Sequence, residues 1–533
     1  MGSVETRDRV PPHLRRFVVE QDWDAYTPVD HAVWRFVLMQ LYGRLVESAH
    51  PAYARGLSAT GMAIERIPRI AEMDARLRDF GWGAVCVDGF IPPRAFQEFQ
   101  ALGILPIAAD IRRVEHLAYT PAPDIIHEAG GHAPILPDPR YARFLREIGD
   151  YGMRAFGSRH DAELYEAIRR LSIVKEQRDA SADEVREAEE ALAGLVAEDP
   201  PPSEAAELAR LYWWTVEYGL VGTPADYKLY GAGLLSSLGE SHFCHDPQVR
   251  KLPLTADCVQ VGYDITRPQP QLFVVRDFDA LSEVLEATCA GFAFKTGGTG
   301  ALETACASGE VATVSFEGGL SLIGRLEHAQ RVGAGLLLRF EGACAAAVDA
   351  VLADGIRWPD GVALVVGRDP GLSIEAAATA STGPRIERFD DARVLRGETE
   401  LARGSVARVD ASGVMSVMRG AIDPRFWPPA RWPAERVPGA APDSAMYGLY
   451  ERVIGDGGRA ACAHDLGAVG DILNAEHPHE WLLRFYLLQA LQRLELEPER
   501  RRQLVSQLGA LETHYGGRCP IATGLRYLGH EPG

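Results

Sequence analysis

The 533-residue chain is expected to be multidomain, with a mainly α domain over residues 1–295, a β-rich domain over 296–422 and a helical C-terminal region over 443–533. Three observations carry that expectation. A single hydrophobic core stops growing at roughly 250–300 residues, so a chain of this length divides. The hydrophobic period changes from helical spacing to short alternating runs near residue 296, then back again. Between the last two parts, Pro424, Pro428, Pro429, Pro433, Pro438 and Pro442 mark a linker.

Residues 12 to about 80 read as helical. Ala32 to Met39 is a dense apolar run, and Ile64 to Leu77 repeats apolar residues at helical spacing. Residues 82–110 are richer in Gly and Pro and read as loops with short apolar runs. A helix begins near Pro139. Residues 159–208 read as a solvated helical insertion, a hairpin broken at 178–182 with Ser181 placed to cap its second helix. Gly297-Gly298-Thr299-Gly300 reads as a flexible joint, after which runs such as Val311 to Phe316 and Leu320 to Ile323 announce strands. Trp481 to Leu488 is the strongest helical segment of the C-terminal region.

Composition excludes several classes. The chain is 47% hydrophobic and 24% charged, the proportions of a folded globular protein. A formal charge of −19 opposes both sequence-independent nucleic-acid binding and docking on anionic membranes. There is no apolar run long enough to span a bilayer. The eight cysteines are scattered without a CxxC pair, which fits a reducing, cytoplasmic setting better than a disulfide framework.

Chemistry concentrates in Thr120 to Pro134. Asp124, His127, Glu128 and His132 put two imidazoles and two carboxylates within one short segment. Imidazole suits Zn, Cu, Fe and Ni. Zinc-protease helices carry their histidines four apart on one face. Here the interval is five, which in a regular α-helix turns the rings roughly 140° apart. Gly130 and Gly131 lower helix propensity and permit a distorted turn that brings both rings to one ion. A third ligand is then needed. Glu217 is a lone carboxylate in the apolar, aromatic stretch 211–220, where an isolated charge is costly. Glu128 competes for the role, because it shares a helical face with His132. Two histidines and one carboxylate leave half an octahedral shell open, as in non-haem Fe(II) oxygenases.

Three stretches carry a resemblance. They are Arg112…Tyr119-Thr120-Pro121-x-Pro123-Asp124-x-x-His127-Glu128-x-x-Gly131-His132, then Tyr212-Trp213-x-Thr215-Val216-Glu217-Tyr218-Gly219-Leu220, then Tyr230-Gly231-Ala232-Gly233-Leu234-Leu235-Ser236-Ser237-x-Gly239-Glu240. In this order, residues 86–280 resemble the catalytic domain of the pterin-dependent aromatic amino acid hydroxylases. The resemblance implies that His127, His132 and Glu217 hold Fe(II), while Glu128 faces a tetrahydropterin. It implies that Phe96 stacks on the pterin, with Val87, Gly89 and Ile91 beside it and Ala209 and Tyr212 on its far side. It makes Arg112 the clamp on the substrate carboxylate, assisted by Thr120, Ser236 and Ser237. Pro123, Trp213 and Tyr218 wall the aromatic side chain, and Asp124 orients a metal histidine. The implied reaction is hydroxylation of an aromatic amino acid by O2.

Within the family, the bulk of Trp213 and the apolar Ile265 point to phenylalanine and its 4-hydroxylation to tyrosine, ahead of tyrosine or tryptophan as substrates. Leu105 to Asp110 lacks the histidine that animal members place near the pterin, and Pro93 replaces a small polar residue. The chain before residue 86 is too short for a ligand-sensing domain of the animal kind. The insertion 159–208 and everything after 296 have no assigned counterpart, and the sequence sets no oligomeric state. The remaining enzymatic alternative is a zinc hydrolase with Glu128 as general base.

Overall fold

Thr27 and Asp30 form a reciprocal capping box, and Pro28 occupies the first helical position, which together open α1 (Pro28–Ser48). This computed structural model describes residues 6–531 apart from 90, 118–122, 177–179, 266, 368, 377–378, 384–385, 412, 421–443, 455–462 and 516–518. Helix α1 buries Val33, Trp34, Phe36, Val37, Leu38, Leu41 and Leu45 on more than one side, so it runs through the core. Two shorter helices follow, α2 (Ala52–Ala59) and α3 (Ile70–Leu77).

Residues 82–110 are not loops. They form a parallel β-α-β unit of β1 (Gly83–Val87), α4 (Pro93–Ala101) and β2 (Ile104–Ala108), paired from Gly83 with Ile104 to Val87 with Ala108. Both strands are buried along their whole length, so they show no alternation, and Pro92 and Pro93 mark the start of the helix rather than a loop. Next come a π-helical segment (Ile126–His132) and α5 (Pro139–Arg154), capped by Asp138.

The hairpin forms as expected from α6 (Arg159–Glu176) and α7 (Ala182–Glu198), with Ser181 and Glu184 in a capping box. It closes before the Pro200-Pro201-Pro202 run, and a separate helix, α8 (Glu204–Tyr212), follows. Four short strands, β3 (Leu220–Thr223), β4 (Asp226–Leu229), β5 (Arg250–Pro253) and β6 (Gln271–Val275), form a mixed sheet in the order β4-β3-β6-β5. Helix α9 (Ala232–Ser236) leaves β4, and α10 (Asp279–Thr288) follows β6.

Gly297 is not a flexible joint. It caps α11 (Gly298–Ser308) at φ +59°, where a Cβ would lie 2.3 Å from the Met415 carbonyl oxygen. Beyond it, among the described residues, ten strands between Val311 and Arg419 make one sheet. β7 (Val311–Phe316), β8 (Leu320–Val332) and β9 (Gly335–Val348) pair antiparallel in succession, and the last strand, Val414–Arg419, returns to pair with β7. Phe156, from the turn after α5, is buried in the core of this β-rich unit.

The C-terminal helices are α12 (Ser444–Ile454), α13 (Ala463–Glu476), α14 (Leu482–Arg493), α15 (Pro498–Tyr515) and α16 (Ile521–Tyr527). Their buried residues join the N-terminal core in a single cluster rather than forming one of their own. Phe36 of α1 meets Trp481 and Phe485 edge-on at 5.3 and 4.9 Å, and the Tyr486 hydroxyl donates to the Ala32 carbonyl. The proline-marked linker lies outside the described residues. The seven cysteines among the described residues are free thiols, and no described helix is long and apolar enough to cross a membrane.

Candidate active site

The five-residue histidine interval has a direct structural cause. Residues Ile126–His132 are π-helical, and an i→i+5 ladder returns every fifth residue to nearly the same face. The rings of His127 and His132 consequently lie 5.0 Å apart, at 89° to each other. Gly131 lets α9 approach, since a Cβ there would lie 2.6 Å from the Ala232 carbonyl oxygen. That approach brings Ser236 to His127, with Oγ 3.0 Å from Nδ1. The Ser236 hydroxyl already donates to the Ala232 carbonyl at 2.7 Å, so it accepts from His127 Nδ1–H and leaves Nε2 to face the site.

A second π-helical segment, Trp213–Glu217, extends α8 and delivers Glu217. One carboxylate oxygen lies 3.3 Å from His127 Nε2 and the other 3.3 Å from His132 Nε2. Two ligand atoms about 2.1 Å from one ion, at right angles, are separated by roughly 3 Å. Both ring nitrogens of His132 are buried and make no hydrogen bond of good geometry among the described residues. An orphaned imidazole nitrogen facing a carboxylate and a second imidazole fits a divalent cation. Glu128 is nearby, with Oε2 3.7 Å from His132 Nε2, and His127, Glu128 and His132 present donor atoms within 4.8 Å of one another.

Electrostatics separate the two carboxylates. Burial pushes both upward, but the charges of His127 and His132 outweigh it at Glu217 and hold that carboxyl below its usual range. At Glu128 burial prevails and the carboxyl is raised. His127 is pulled down by burial, yet the charge and hydrogen bond of Glu217 push it up to about 9. Glu217 is therefore the anionic partner of both rings, and Glu128 the more readily protonated neighbour.

Arg112 and Asp124 form a buried bidentate pair, with Nε and Nη2 each 2.8 Å from a carboxylate oxygen. Asp124 also accepts the backbone N–H groups of Arg112 and His127 at 3.0 Å. Its carboxylate thus fixes the guanidinium and the start of the histidine segment, while the hydrogen bond to the His127 ring belongs to Ser236. Asp124 therefore acts on His127 through the backbone rather than through the ring. Arg112 Nη1 reaches the Ser236 carbonyl at 3.4 Å, and the Ser237 hydroxyl accepts the Glu240 N–H at 3.2 Å.

Phe96, on α4, lies with its ring 6.3 Å from that of His132 and 6.4 Å from that of Tyr212. The Tyr212 hydroxyl accepts from Gln100 at 2.7 Å. Val87 and Ile91 are committed to a small core with Val10, Leu14 and Phe17, so their side chains are not free to line a pocket. Gly89, at φ +58°, follows β1, and Ala209 is half-buried on α8. Trp213 packs tilted against Tyr218 at 4.7 Å and 31° and stacks on Tyr263 at 4.3 Å and 11°. Pro123 is half-buried beside Asp124, and Thr120 lies outside the described residues.

Tyr263 and Gln100 escaped sequence reasoning, and Glu240 stands in the third resembling stretch without a role. Glu240 carried a readable signal, a carboxylate after an apolar glycine-rich run. It is buried, hydrogen-bonds Tyr218, and is pushed by burial up to about 7.

Comparison with known proteins places this architecture. The profile of the biopterin-dependent aromatic amino acid hydroxylases matches residues 23–173 and 188–293, passing over only 174–187 at the tip of the α6–α7 hairpin. Most of the 159–208 stretch therefore has a family counterpart. The phenylalanine-4-hydroxylase of Caulobacter vibrioides is 30% identical over 52% of this chain and 77% of its own length. That of Mesorhizobium japonicum is 30% identical over 51% and 83% respectively. A crystal structure of Chromobacterium violaceum phenylalanine hydroxylase with bound iron(III) and oxidised 7,8-dihydrobiopterin aligns at 27% identity, covering 54% of this chain and 92% of that one, with a TM-score of 0.41. The chain belongs to the biopterin-dependent aromatic amino acid hydroxylase family.

Proposed function

We propose that this protein hydroxylates the ring of L-phenylalanine to L-tyrosine, using O2, a tetrahydropterin and non-haem Fe(II) held by His127, His132 and Glu217. The observation that carries the reading is the Glu217 carboxylate, which presents one oxygen to each histidine at 3.3 Å. When bound, the metal and the reduced pterin supply the O2-activating chemistry.

The chain's own residues bind, orient and exclude water. Asp124 takes Nε and one Nη2 hydrogen of Arg112, and the Ser236 carbonyl takes one Nη1 hydrogen, which leaves one hydrogen on each terminal nitrogen to take the substrate carboxylate in a fixed direction. Trp213, Tyr218 and Pro123 wall the aromatic ring, and Tyr263 backs Trp213. Phe96 and Tyr212 enclose the pterin, while Val87, Gly89, Ile91 and Ala209 border it, Val87 and Ile91 by main chain. Glu128 faces the pterin as a carboxyl able to hold a proton there. A pocket crowded by Trp213 suits one ring better than an indole. Asp264 pairs with Arg267 at 2.8 Å, which leaves Ile265 as the apolar determinant and favours phenylalanine over tyrosine. The free thiols and negative charge fit a cytoplasmic setting. Family membership sets aside the zinc-hydrolase alternative.

The test is turnover of phenylalanine, tyrosine and tryptophan with Fe(II), tetrahydropterin and O2, omitting each in turn. Glu217→Ala and Glu128→Ala are compared for bound iron. Tyrosine formation that needs all three components, with iron lost from Glu217→Ala but kept by Glu128→Ala, is the expected result. Iron lost from Glu128→Ala alone would transfer the ligand role.

A further inference from the structure

Helix α4 is nine residues long and carries Phe96 in its first turn. Three different parts of the molecule hold it. Gly149 and Gly152 of α5 admit Gln97 and Ala101 at contact distances that no Cβ would allow. His13, from the N-terminal segment, pairs with Glu98 at 2.7 Å. The third hold comes from the β-rich unit, and it falls on Arg94, two residues before Phe96 and so on another face of the helix.

Arg94 reaches Gly420, the residue that follows the last strand. A Cβ built on Gly420 would lie 2.0 Å from Arg94 Nη2 and 3.0 Å from Cζ, so the guanidinium is seated directly on the glycine. Gly420 has φ +92°, a conformation that favours glycine. It is pinned to the sheet on both sides: its N–H donates to the Val311 carbonyl at 2.6 Å, and its carbonyl accepts the Thr313 hydroxyl at 2.8 Å. Beside it, Arg419 pairs with Glu310 at 2.8 Å, and Glu310 accepts the Gly157 N–H at 3.0 Å. Burial, with the charge of Arg419 added, pushes Arg94 down to about 9 against the opposing pull of Glu98 and Glu310. Phe156 anchors the unit independently, in its own core.

We infer that the β-rich unit is a positional clamp on α4, and that the seat Gly420 offers to Arg94 fixes the orientation of the Phe96 ring and with it the affinity for the pterin. The inference rests on the reading of Phe96 as the pterin-stacking ring. Arg94 is a positioning residue acting through Phe96, and the clamp gives the β-rich unit a purpose in the reaction. A unit seated two residues from the stacking ring couples its own docking to cofactor binding.

The test titrates the full-length protein with 7,8-dihydrobiopterin by calorimetry, alongside iron content and thermal unfolding. Gly420→Ala, made outside the family-matched region, is expected to raise the pterin Kd about fivefold or more, the scale of coupling between groups sharing a contact. Iron per chain stays at the wild-type level, and KM rises for the pterin but not for phenylalanine. Arg94→Lys keeps the charge but loses the planar fork, so it raises the same Kd, and it is read alone if Gly420→Ala does not fold. In a Phe96→Ala background, Gly420→Ala is expected to have no further effect. A wild-type Kd in folded Gly420→Ala or Arg94→Lys, or full additivity with Phe96→Ala, overturns the clamp alone. If the unmodified protein takes up no pterin, the clamp falls together with the functional reading.

Discussion

At His127 the hydrogen-bond inventory decides the chemistry. Ser236 spends its one hydroxyl proton on Ala232 and can only accept from the imidazole, which selects the tautomer with Nε2 facing Glu217. Ser236→Ala removes that selection without altering the fold of α9. Loss of a partner to a ligating histidine costs roughly 10- to 100-fold in metal affinity. Iron affinity measured by chelator competition should fall by that factor, and an unchanged affinity would remove Ser236 from the site. Glu240 makes a second residue-scale prediction. Its carboxyl titrates near 7 in the folded protein, against about 4.5 when unfolded. A group raised in this way stabilises fully below pH 4.5, and that contribution is lost as the pH climbs through 7. The difference is on the order of 3 kcal/mol. Glu240→Gln should match the wild type in Tm near pH 4 and exceed it by several degrees at pH 8. A Tm difference that stays flat between those pH values would show the carboxyl to be ordinary.

At the scale of elements, the two π-helical segments define the site. Each inserts a residue relative to an α-helix, one aligning His127 with His132 and the other delivering Glu217. The five-residue spacing made the first legible in the sequence, together with Gly130 and Gly131. The lone carboxylate at 217 was legible through the cost of burying it. Ser236 on His127 was not legible as a ring partner, because 109 residues separate them and only the approach of α9 over Gly131 joins them. The β1-α4-β2 unit was hidden for a different reason. Its strands are five residues long and buried on both faces, so they lack the alternation that identifies a strand. Gly131→Ala tests the element argument. Its Cβ would press on the Ala232 backbone, and overpacking of that kind costs about 1–3 kcal/mol. Since the push separates α9 from the histidine segment, iron affinity should fall alongside stability, whereas Gly130→Ala, whose added Cβ would meet Leu38 at 3.6 Å, should leave both near wild type. Equal effects from the two substitutions would refute the packing explanation.

On the scale of the whole molecule, the decisive fact is that the C-terminal helices and the family-matched region share one core. The sequence pattern separates them by more than a hundred residues of β-rich chain, yet Phe36 of α1 packs edge-on against both Trp481 and Phe485, and Tyr486 closes on the Ala32 carbonyl. Helix α1 also lies under the histidine segment, where a Cβ added to Gly130 would meet Leu38 first. A perturbation at α14 therefore reaches the site through a single helix. Phe485→Ala removes a fully buried ring and should cost about 3–5 kcal/mol. Because the core is continuous, that loss should appear as one transition: tryptophan fluorescence, far-ultraviolet dichroism and release of bound iron shifting together to lower denaturant. If the C-terminal helices formed an autonomous domain, the iron-release midpoint would hold at its wild-type value while only part of the dichroism moved. Coincident shifts would mean that the last ninety residues complete the catalytic core, whatever the β-rich unit between them contributes to the pterin.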